Sequence, residues 1–450
     1  MRRIAFLLLA LISLTCAAAA ATRPHYGGTL RVAMQSAPTT LELPGVDTPT
    51  NYWDMARVLS LVGDNLVKID AEDRPQPALA LAWQHDAAAR HWQFTLRQGV
   101  KFHDGSPASP SAIAQILGAL HADWNVRAPG ALLTIDTETP TPSLLAELAL
   151  PRNLILTRNA NGAPVGTGPF RVADFQPAKS LKLAASEDSW AGRPFLDTIE
   201  IEFGKSLRDQ ALALELGRTD VIETAPQAAT ATPRIPPTSS LPLELLALVF
   251  TTNSKAQDVH LRQALASSID RKPIQSVLLK GTGEPAACTL PNWMTGYSAA
   301  FSTQVNVQRA KTLLADSRQP ALTLSYDPRD PQAQLIAERI ALNAREAGIT
   351  VQVSLSGTGD IRLVRIALPS PDPALALREM ARELALPLPV LHANTVEDLY
   401  QAERAMLDGG NVIPIFHLPL ASAAGARVHN WAPDRLGSWN LADVWLEDSR

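Results

Sequence analysis

The sequence predicts an α/β protein made of two lobes, and three observations support this. The chain has 450 residues, and single hydrophobic cores stop growing at about 250–300 residues. Residues 322–355 carry a strand pattern, a helix pattern and a second strand pattern with short links, which predicts a parallel crossover unit. Five prolines between Pro226 and Pro242 predict a loop near a lobe boundary, because proline disrupts helices and central strands.

The first residues predict a secretory signal peptide. Arg2 and Arg3 precede an apolar run over 4–14 and small residues over 17–21, an order typical of such leaders. The apolar run is too short to cross a bilayer core of about 30 Å. We therefore assign residues 1–21 to a signal peptide that is cleaved near its last alanines, with a membrane anchor as the alternative.

The two cysteines have different contexts. Cys16 lies in the leader and would carry a lipid in a lipoprotein, but the Ser-Leu-Thr before it fits such a signal poorly, so ordinary cleavage is favoured. Cys288 then remains alone, so we expect no internal disulfide and a fold held by its cores. Its turn-like context predicts a half-buried small residue.

Charge and hydropathy exclude two classes of protein. Without the two leader arginines, 38 basic residues stand against 44 acidic ones, and no Lys/Arg cluster is visible, so we expect no nucleic-acid partner. No second apolar run reaches about 18 residues, so we expect a soluble mature chain.

Apolar periodicity places the main elements. Alternating patterns predict strands over 30–34, 91–96, 181–183, 199–203, 322–326 and 349–355. Helical spacing predicts helices over 52–66 and 332–347, and Pro110 opens a further short helix. Asp258 and Asn306 are predicted to cap two more helices. Gly348 is predicted to close the helix over 332–347.

Catalytic signatures are absent from the sequence. It contains no His-Glu-x-x-His motif, no Gly-x-Ser-x-Gly elbow and no phosphate-binding glycine loop. No nucleophile–base pair can be assembled either, so we expect no enzyme and no cofactor. No two histidines are spaced four residues apart, as a metal site on one helix would require. A metal site assembled from distant parts of the fold stays an alternative, because imidazole binds nickel, copper and zinc.

Several segments together resemble one family. The motif residues are Gly27–Ala33, Leu79–Trp83, Trp92–Gly105, Gly166–Phe170, Trp190–Asp197, Arg262–Leu265, Ile269–Arg271, Val412–His417 and Gly437–Leu441. Gly-Val-Lys-Phe-His-Asp-Gly at the end of the third segment is the most specific of them. The chain resembles the family 5 solute-binding proteins of ABC transporters, which bind oligopeptides, dipeptides or nickel.

The resemblance implies a two-lobe periplasmic-binding-protein clamshell, type II-like, with a reduced extra subdomain over about 44–165. Lobe I would comprise residues 22–243 and the tail 423–450, and lobe II residues 244–422. A ligand would bind between the lobes and be passed to an inner-membrane ABC permease. We expect a periplasmic monomer.

The sequence departs from the family where its peptide binders carry an aspartate for the peptide's amino terminus. Of the family's Ala-Asp-Tyr-x-Asp-Pro, only the last Asp-Pro survives in Ala367–Pro373, and Pro369 occupies the aspartate position. Residues 374–395 also form a shorter region than usual. Asp47, in a loop that borders the peptide in relatives, could supply a replacement carboxylate. The ligand contacts implied by local alignment are Asp47, Thr48, Leu368, Pro369 and Trp439.

Three functions follow as hypotheses. The leading one is a receptor for a peptide or peptide-like solute that serves an ABC importer. The second is a receptor for nickel or a metal chelate, with His103 or His417 among the ligands. The third is a degenerate clamshell used as a sensing or assembly module, which the missing aspartate and the deletions keep open.

Overall fold

The structure is a computed structural model that describes residues 24–43, 52–70, 72–224, 237–314, 320–328, 330, 332–355, 359–391 and 395–447. The predicted signal peptide, Asp47 and Thr48 lie outside the described residues. Within the described part of the chain, no helix has the length and apolar character needed to span a membrane.

Strands predominate in the first half of the chain. They are β1 (Thr29–Ala33), β2 (Val67–Ile69), β3 (Pro75–Pro77), β4 (Ala80–His85), β5 (His91–Leu96), β6 (Trp124–Arg127), β7 (Leu132–Thr137), β8 (Thr157–Arg158), β9 (Pro164–Val165), β10 (Phe170–Gln176), β11 (Ser180–Ala185), β12 (Thr198–Glu202) and β13 (Val221–Glu223). The helices are α1 (Tyr52–Val62), α2 (Pro110–Leu120), α3 (Leu144–Leu148), a 3₁₀ turn (Pro151–Asn153) and α4 (Leu207–Glu215).

Helices and strands alternate in the second half. The strands are β14 (Thr238–Phe250), β15 (Glu284–Pro285), β16 (Leu322–Tyr326), β17 (Val351–Ser354), β18 (Ile361–Ala367), β19 (Val412–Ala424), β20 (Val428–His429) and β21 (Trp445–Leu446). The helices are α5 (Val259–Ser268), α6 (Arg271–Pro273) with a π turn (Ile274–Leu278), α7 (Asn292–Thr295), a 3₁₀ turn (Ser298–Ala300), α8 (Val307–Leu313), α9 (Ala333–Glu346), α10 (Pro373–Glu383) and α11 (Val396–Leu407).

One sheet runs through both halves. Among the described residues its order is β10-β11-β12-β1-β13-β19-β14-β18-β16-β17, with β15 added beside β19. Strand β1 is parallel to β12 and β13, and β16 is parallel to β17 and β18, as the predicted crossover unit requires. The long antiparallel pair β14–β19 connects the two parallel regions. The fold is therefore a two-lobed α/β structure with two connecting strands.

The four largest buried clusters of the described residues show where the cores lie. One surrounds β1, β11, β12 and α1, and another fills the small subdomain around β5, β7 and α2. The second half has a core on each face of its sheet. Along β14, Leu246 and Leu248 face the first of these, while Leu245 and Ala247 face the second. A strand segment buried on both faces is apolar on both, as residues 245–250 of β14 are.

The prediction of a loop over 226–242 is wrong for its last residues. Residues 225–236 lie outside the described part, but Thr238–Pro242 opens β14 and pairs with β19 alone. Pro242 lies at a register shift, where its missing N–H costs no ladder hydrogen bond. The predicted lobe boundaries at 243 and 423 fall within β14 and β19, and that division stays a prediction.

Helix starts follow the predicted capping chemistry. Asp258 accepts a hydrogen bond from the backbone N–H of His260, and Asn306 accepts one from Arg309. Gly348 has a φ of 91° and follows Ala347, the C-cap of α9, as expected of a glycine that closes a helix. Cys288 differs from its prediction, because its side chain is fully buried in the second half.

Candidate functional site

Helix α1 and the ends of three strands bring charged side chains together between the two halves. Met55 and Val58 of α1 belong to the core of the first half, whereas Trp53 of the same helix packs against a core of the second half. Glu223 ends β13, and parallel β1 ends beside it. The carboxyl ends of parallel strands are the usual position of ligand sites in α/β sheets.

Asp54 and Glu223 form a carboxyl pair on the side of the first half. Burial raises the pKa of Glu223 to about 8, and the charge of Asp54 adds to that rise. Burial also raises the pKa of Asp54, against the opposing effect of Arg57. Arg57 Nη1 lies 3.6 Å from Asp54 Oδ1. Burial and mutual repulsion therefore favour a proton shared between the two carboxyls, against the attraction of Arg57.

Glu244 faces this pair from the second half. It lies near the start of β14, and the charge of Asp54 contributes to its raised pKa after burial. Arg365 of β18 has Nη1 3.4 Å from Glu244 Oε2 and Nε 2.7 Å from Asp330 Oδ2. This group is called the interlobe cluster below. Its members are Asp54, Arg57, Glu223, Glu244, Asp330 and Arg365.

The interlobe cluster has more acidic groups than basic ones. Its four carboxyl groups face two guanidinium groups, and the pKa of three of the four is raised mainly by burial. Such a group is best stabilised by a further cation, because a positive charge would allow both members of the Asp54–Glu223 pair to ionise. The arrangement can therefore bind an ammonium group.

Indole N–H groups without acceptors lie beside the cluster. The Nε1 atoms of Trp53, Trp431 and Trp439 are buried and have no hydrogen-bond partner among the described residues. The rings of Trp431 and Trp439 are 5.7 Å apart, and the guanidinium of Arg57 lies 5.4 Å from the Trp439 ring centroid. Buried donors without partners are uncommon, so these groups can serve a ligand that carries oxygen acceptors.

Gly437 holds Arg57 in place. The Arg57 Nε donates to the carbonyl oxygen of Gly437 at 2.8 Å. Gly437 has a φ of 72°, and a Cβ there would lie 3.0 Å from Arg57 Nη2. A side chain at this position would strain the backbone and push against the guanidinium.

The structure locates three of the residues predicted to contact a ligand. Trp439 is 7% exposed and adjoins the interlobe cluster through Arg57. Leu368 is 4% exposed, its side chain lies in a core, and its N–H donates to Leu243 at 2.7 Å. Pro369 is half-buried directly after it. As ligand contacts, all three stay predictions.

Both histidines put forward as metal ligands are engaged with the main chain. His103 Nε2 lies 2.9 Å from the oxygen of Gly168, and its Nδ1 accepts from Gly166. His417 Nε2 lies 3.0 Å from the oxygen of Thr289, and burial lowers the pKa of His417 to about 4. Within the described residues, no three His, Cys, Asp or Glu side chains are arranged to hold a metal ion.

Sequence reasoning missed the interlobe cluster, although two signals were present. Asp54 and Arg57 are charged positions close to the apolar stripe of α1, and both are largely buried. Glu223 is the last residue of β13, directly after the apolar Val221 and Ile222. A charge at the carboxyl end of a short buried strand indicates a site, but only if the strand is known to be parallel to its neighbour.

Comparison with known proteins identifies the family of this chain. The family model for bacterial extracellular solute-binding proteins, family 5 Middle, matches residues 74–360. The nickel-binding protein NikA of Staphylococcus aureus is 24% identical over 314 residues, 64% of this chain and 64% of that protein. The nickel-binding periplasmic protein of Escherichia coli is 26% identical over 65% of this chain and 66% of its own. This chain thus matches about two thirds of the length of these curated relatives.

A solved structure shows the same fold over a larger share of the chain. The dipeptide-binding protein of Pseudoalteromonas sp. SM9913, in complex with Met-Leu, has a TM-score of 0.81 at 18% sequence identity. The likeness covers 93% of this chain and 100% of that one. With the two-lobed architecture and the match over most of the chain, the protein belongs to the bacterial extracellular solute-binding proteins of family 5.

Proposed function

We propose that the protein is an extracytoplasmic receptor that captures a peptide or peptide-like solute between its lobes and delivers it to an ABC importer. The interlobe cluster is the observation that carries this proposal. Its surplus of carboxyl groups suits a protonated amine, and the indole donors beside it suit carbonyl or carboxylate oxygens. A peptide carries both kinds of group.

The two lobes contribute different parts of the site. Asp54 and Glu223 come from the first half and Glu244 from the second, so an ammonium bound among them draws the halves together. A cleft between hinged lobes can enclose a small ligand and convert its presence into a change of shape. A permease that recognises the closed shape would then respond to occupancy, and no chemical step on the ligand is involved.

The amine would be held by different residues from those the family alignment suggested. Pro369 carries no charge and occupies the position of the aspartate that holds the peptide's amino terminus in peptide-binding relatives. We assign the role of that aspartate to the Asp54–Glu223 pair. Asp47, Thr48, Leu368 and Pro369 are retained as proposed ligand contacts. Trp439 is retained beside Arg57.

The cellular setting is part of the same proposal. Residues 1–21 would be removed on export, and the mature chain would act in the periplasm as a monomer, with lobe I over 22–243 and 423–450 and lobe II over 244–422. A lipid on Cys16 is the less favoured form. An inner-membrane permease is the proposed macromolecular partner, and nucleic acid is not one.

Calorimetric titration with trialanine and with N-acetyl-trialanine tests the proposal. The free peptide should bind, and acetylation of its amine should weaken binding at least about tenfold, since a charge-assisted contact is lost. Glu223→Gln and Glu244→Gln should weaken binding of the free peptide and leave the acetylated one unchanged. Glu346→Gln removes an exposed carboxylate of α9 and serves as the matched control. Equal binding of both peptides to all variants would contradict the proposal.

A metal chelate is the second candidate ligand, and two nickel-binding relatives favour it. The proteins that match at 24% and 26% identity are nickel-binding, and NikA of Staphylococcus aureus was solved with Ni(L-His)2. In a chelate, the small molecule supplies the metal ligands and the receptor can contact its amines and carboxylates. Titration with nickel and histidine together, compared with nickel alone, distinguishes this candidate from the peptide.

A further inference from the structure

A second charged pocket lies in the second half, away from the interlobe cluster. Its volume is about 390 Å³, and helices α5, α8 and α11 and the first residues of β19 surround it. Four arginines line this pocket, called the arginine pocket below. They are Arg262, Arg271, Arg309 and Arg404, and among the described residues the lining includes a single carboxylate, Asp408.

Arg271 provides the strongest evidence for a missing anion. Its side chain is 5% exposed, and its Nε and Nη2 donate to the carbonyl oxygens of Ala286 and Pro414 at 3.0 and 2.8 Å. Its Nη1 has only a long contact of 3.5 Å to Ile269. No carboxylate of the described residues pairs with it, and burial lowers its pKa to about 10. It thus stays charged at neutral pH without a counter-ion, which is costly in a buried position.

The other arginines leave the positive charge of the pocket uncompensated. Arg309 and Arg404 are exposed at its rim, and neither forms an ion pair within the described part of the chain. Arg262 donates to the main-chain oxygens of Gly409 and Ala256. Guanidinium groups that converge on one cavity match the oxygen geometry of carboxylates and phosphates.

The arginine pocket is separate from the interlobe cluster. Pro414 borders the pocket, and Leu418 and Ser422 on the same strand pair with Glu244 and Glu223 of the cluster. At about 3.3 Å per residue along a strand, Leu418 and Ser422 are about 13 and 25 Å from Pro414. The two sites also have opposite charge, so they suit different ligands.

We infer that the arginine pocket binds a small anion carrying two or more negative charges in carboxylate or phosphate groups. Arg271 provides a buried positive charge at its base, and Arg309 and Arg404 provide exposed guanidinium groups at the rim. The apolar side chains of Phe301, Val305 and Leu407 form part of the wall, so an organic body fits as well as the charged groups.

Calorimetric titration at constant ionic strength tests this inference, with citrate and inorganic phosphate as probes and acetate as the singly charged control. Citrate or phosphate should bind saturably and acetate much more weakly. The double variant Arg309→Gln/Arg404→Gln should weaken that binding by roughly tenfold or more. Arg208→Gln/Arg345→Gln removes two exposed helical arginines elsewhere and should bind as the wild type does.

Two outcomes would overturn the inference. One is saturable binding that the pocket variant leaves unchanged, and the other is a lack of saturable binding by the wild type to either probe. Stronger binding of citrate than of phosphate would identify carboxylates as the preferred groups, and the reverse would identify phosphates. Trialanine binding should be unchanged in the pocket variant, so the result is independent of the peptide proposal.

Discussion

Arg152 of the small subdomain forms an ion pair with Glu379 of helix α10, with 3.2 Å between Nη1 and Oε2. The two side chains are 33% and 11% exposed. The subdomain has its own core, and α10 belongs to a core of the second half. The pair therefore joins the halves through a contact outside the long strands β14 and β19.

Loss of this ion pair should weaken ligand binding. An exposed or half-buried pair contributes up to about 1 kcal/mol, so Arg152→Met should raise the dissociation constant of a ligand that closes the lobes by about two- to fivefold. Arg382→Met is the matched control, because Arg382 pairs with the same Glu379 within one helix. Equal effects of the two substitutions would show that the pair does not act between the halves. Calorimetric titration measures both.

The protonation of Glu223 should make stability depend on pH. An unfolded glutamate loses its proton near pH 4.3, whereas the native pKa of Glu223 is about 8. Between these values the native state holds a proton that the unfolded state has lost, so the free energy of unfolding should fall as pH rises from about 4.5 to 8. Urea denaturation at pH 5 and pH 8 measures this fall. Glu223→Gln should reduce it, and an unchanged pH dependence would contradict the assignment.

Binding of an amine should release this proton. At pH 7 the Asp54–Glu223 pair retains a proton that an ammonium would displace, so trialanine binding should release up to about one proton per peptide. Titrations in PIPES and in MOPS at the same pH measure it, because the two buffers differ in ionisation enthalpy. The apparent binding enthalpy should differ between them for the wild type and much less for Glu223→Gln. Equal enthalpies for the wild type would exclude an ammonium at this pair.

The sequence predicted the two-lobed α/β fold better than the site. Periodicity and capping are local, so the helix after Asp258 and the crossover over 322–355 could be derived from nearby residues. The interlobe cluster joins Asp54, Glu223 and Glu244, which are far apart in the chain and meet only through sheet order. The start of β14 was missed for a related reason, because the pattern did not show that Pro242 pairs at a register shift.

Glu403 should be among the most sensitive positions for stability. Its side chain is fully buried and accepts hydrogen bonds from the N–H of Leu290 at 3.0 Å, the Tyr297 hydroxyl at 2.6 Å, and the N–H and hydroxyl of Thr289. Glu403→Ala leaves these buried donors without partners, at a cost of about 3 kcal/mol or more. Glu397→Ala on the exposed side of α11 should cost under about 0.5 kcal/mol. Urea denaturation compares them, and similar losses would contradict a special role for Glu403.

Alanine substitutions at Gly437 and Gly296 distinguish the effect of backbone strain from that of crowding at the interlobe cluster. Both have a φ of 72°, but an added Cβ would lie 3.0 Å from Arg57 Nη2 at Gly437 and meet nothing within 4 Å at Gly296. Either substitution by alanine should cost about 1 kcal/mol of stability through strain. Only Gly437→Ala should also weaken peptide binding, because the added Cβ would displace the guanidinium of Arg57, which pairs with Asp54. Denaturation and calorimetry on both variants measure the two effects, and unimpaired binding by Gly437→Ala would show that the position of Arg57 does not matter for the ligand.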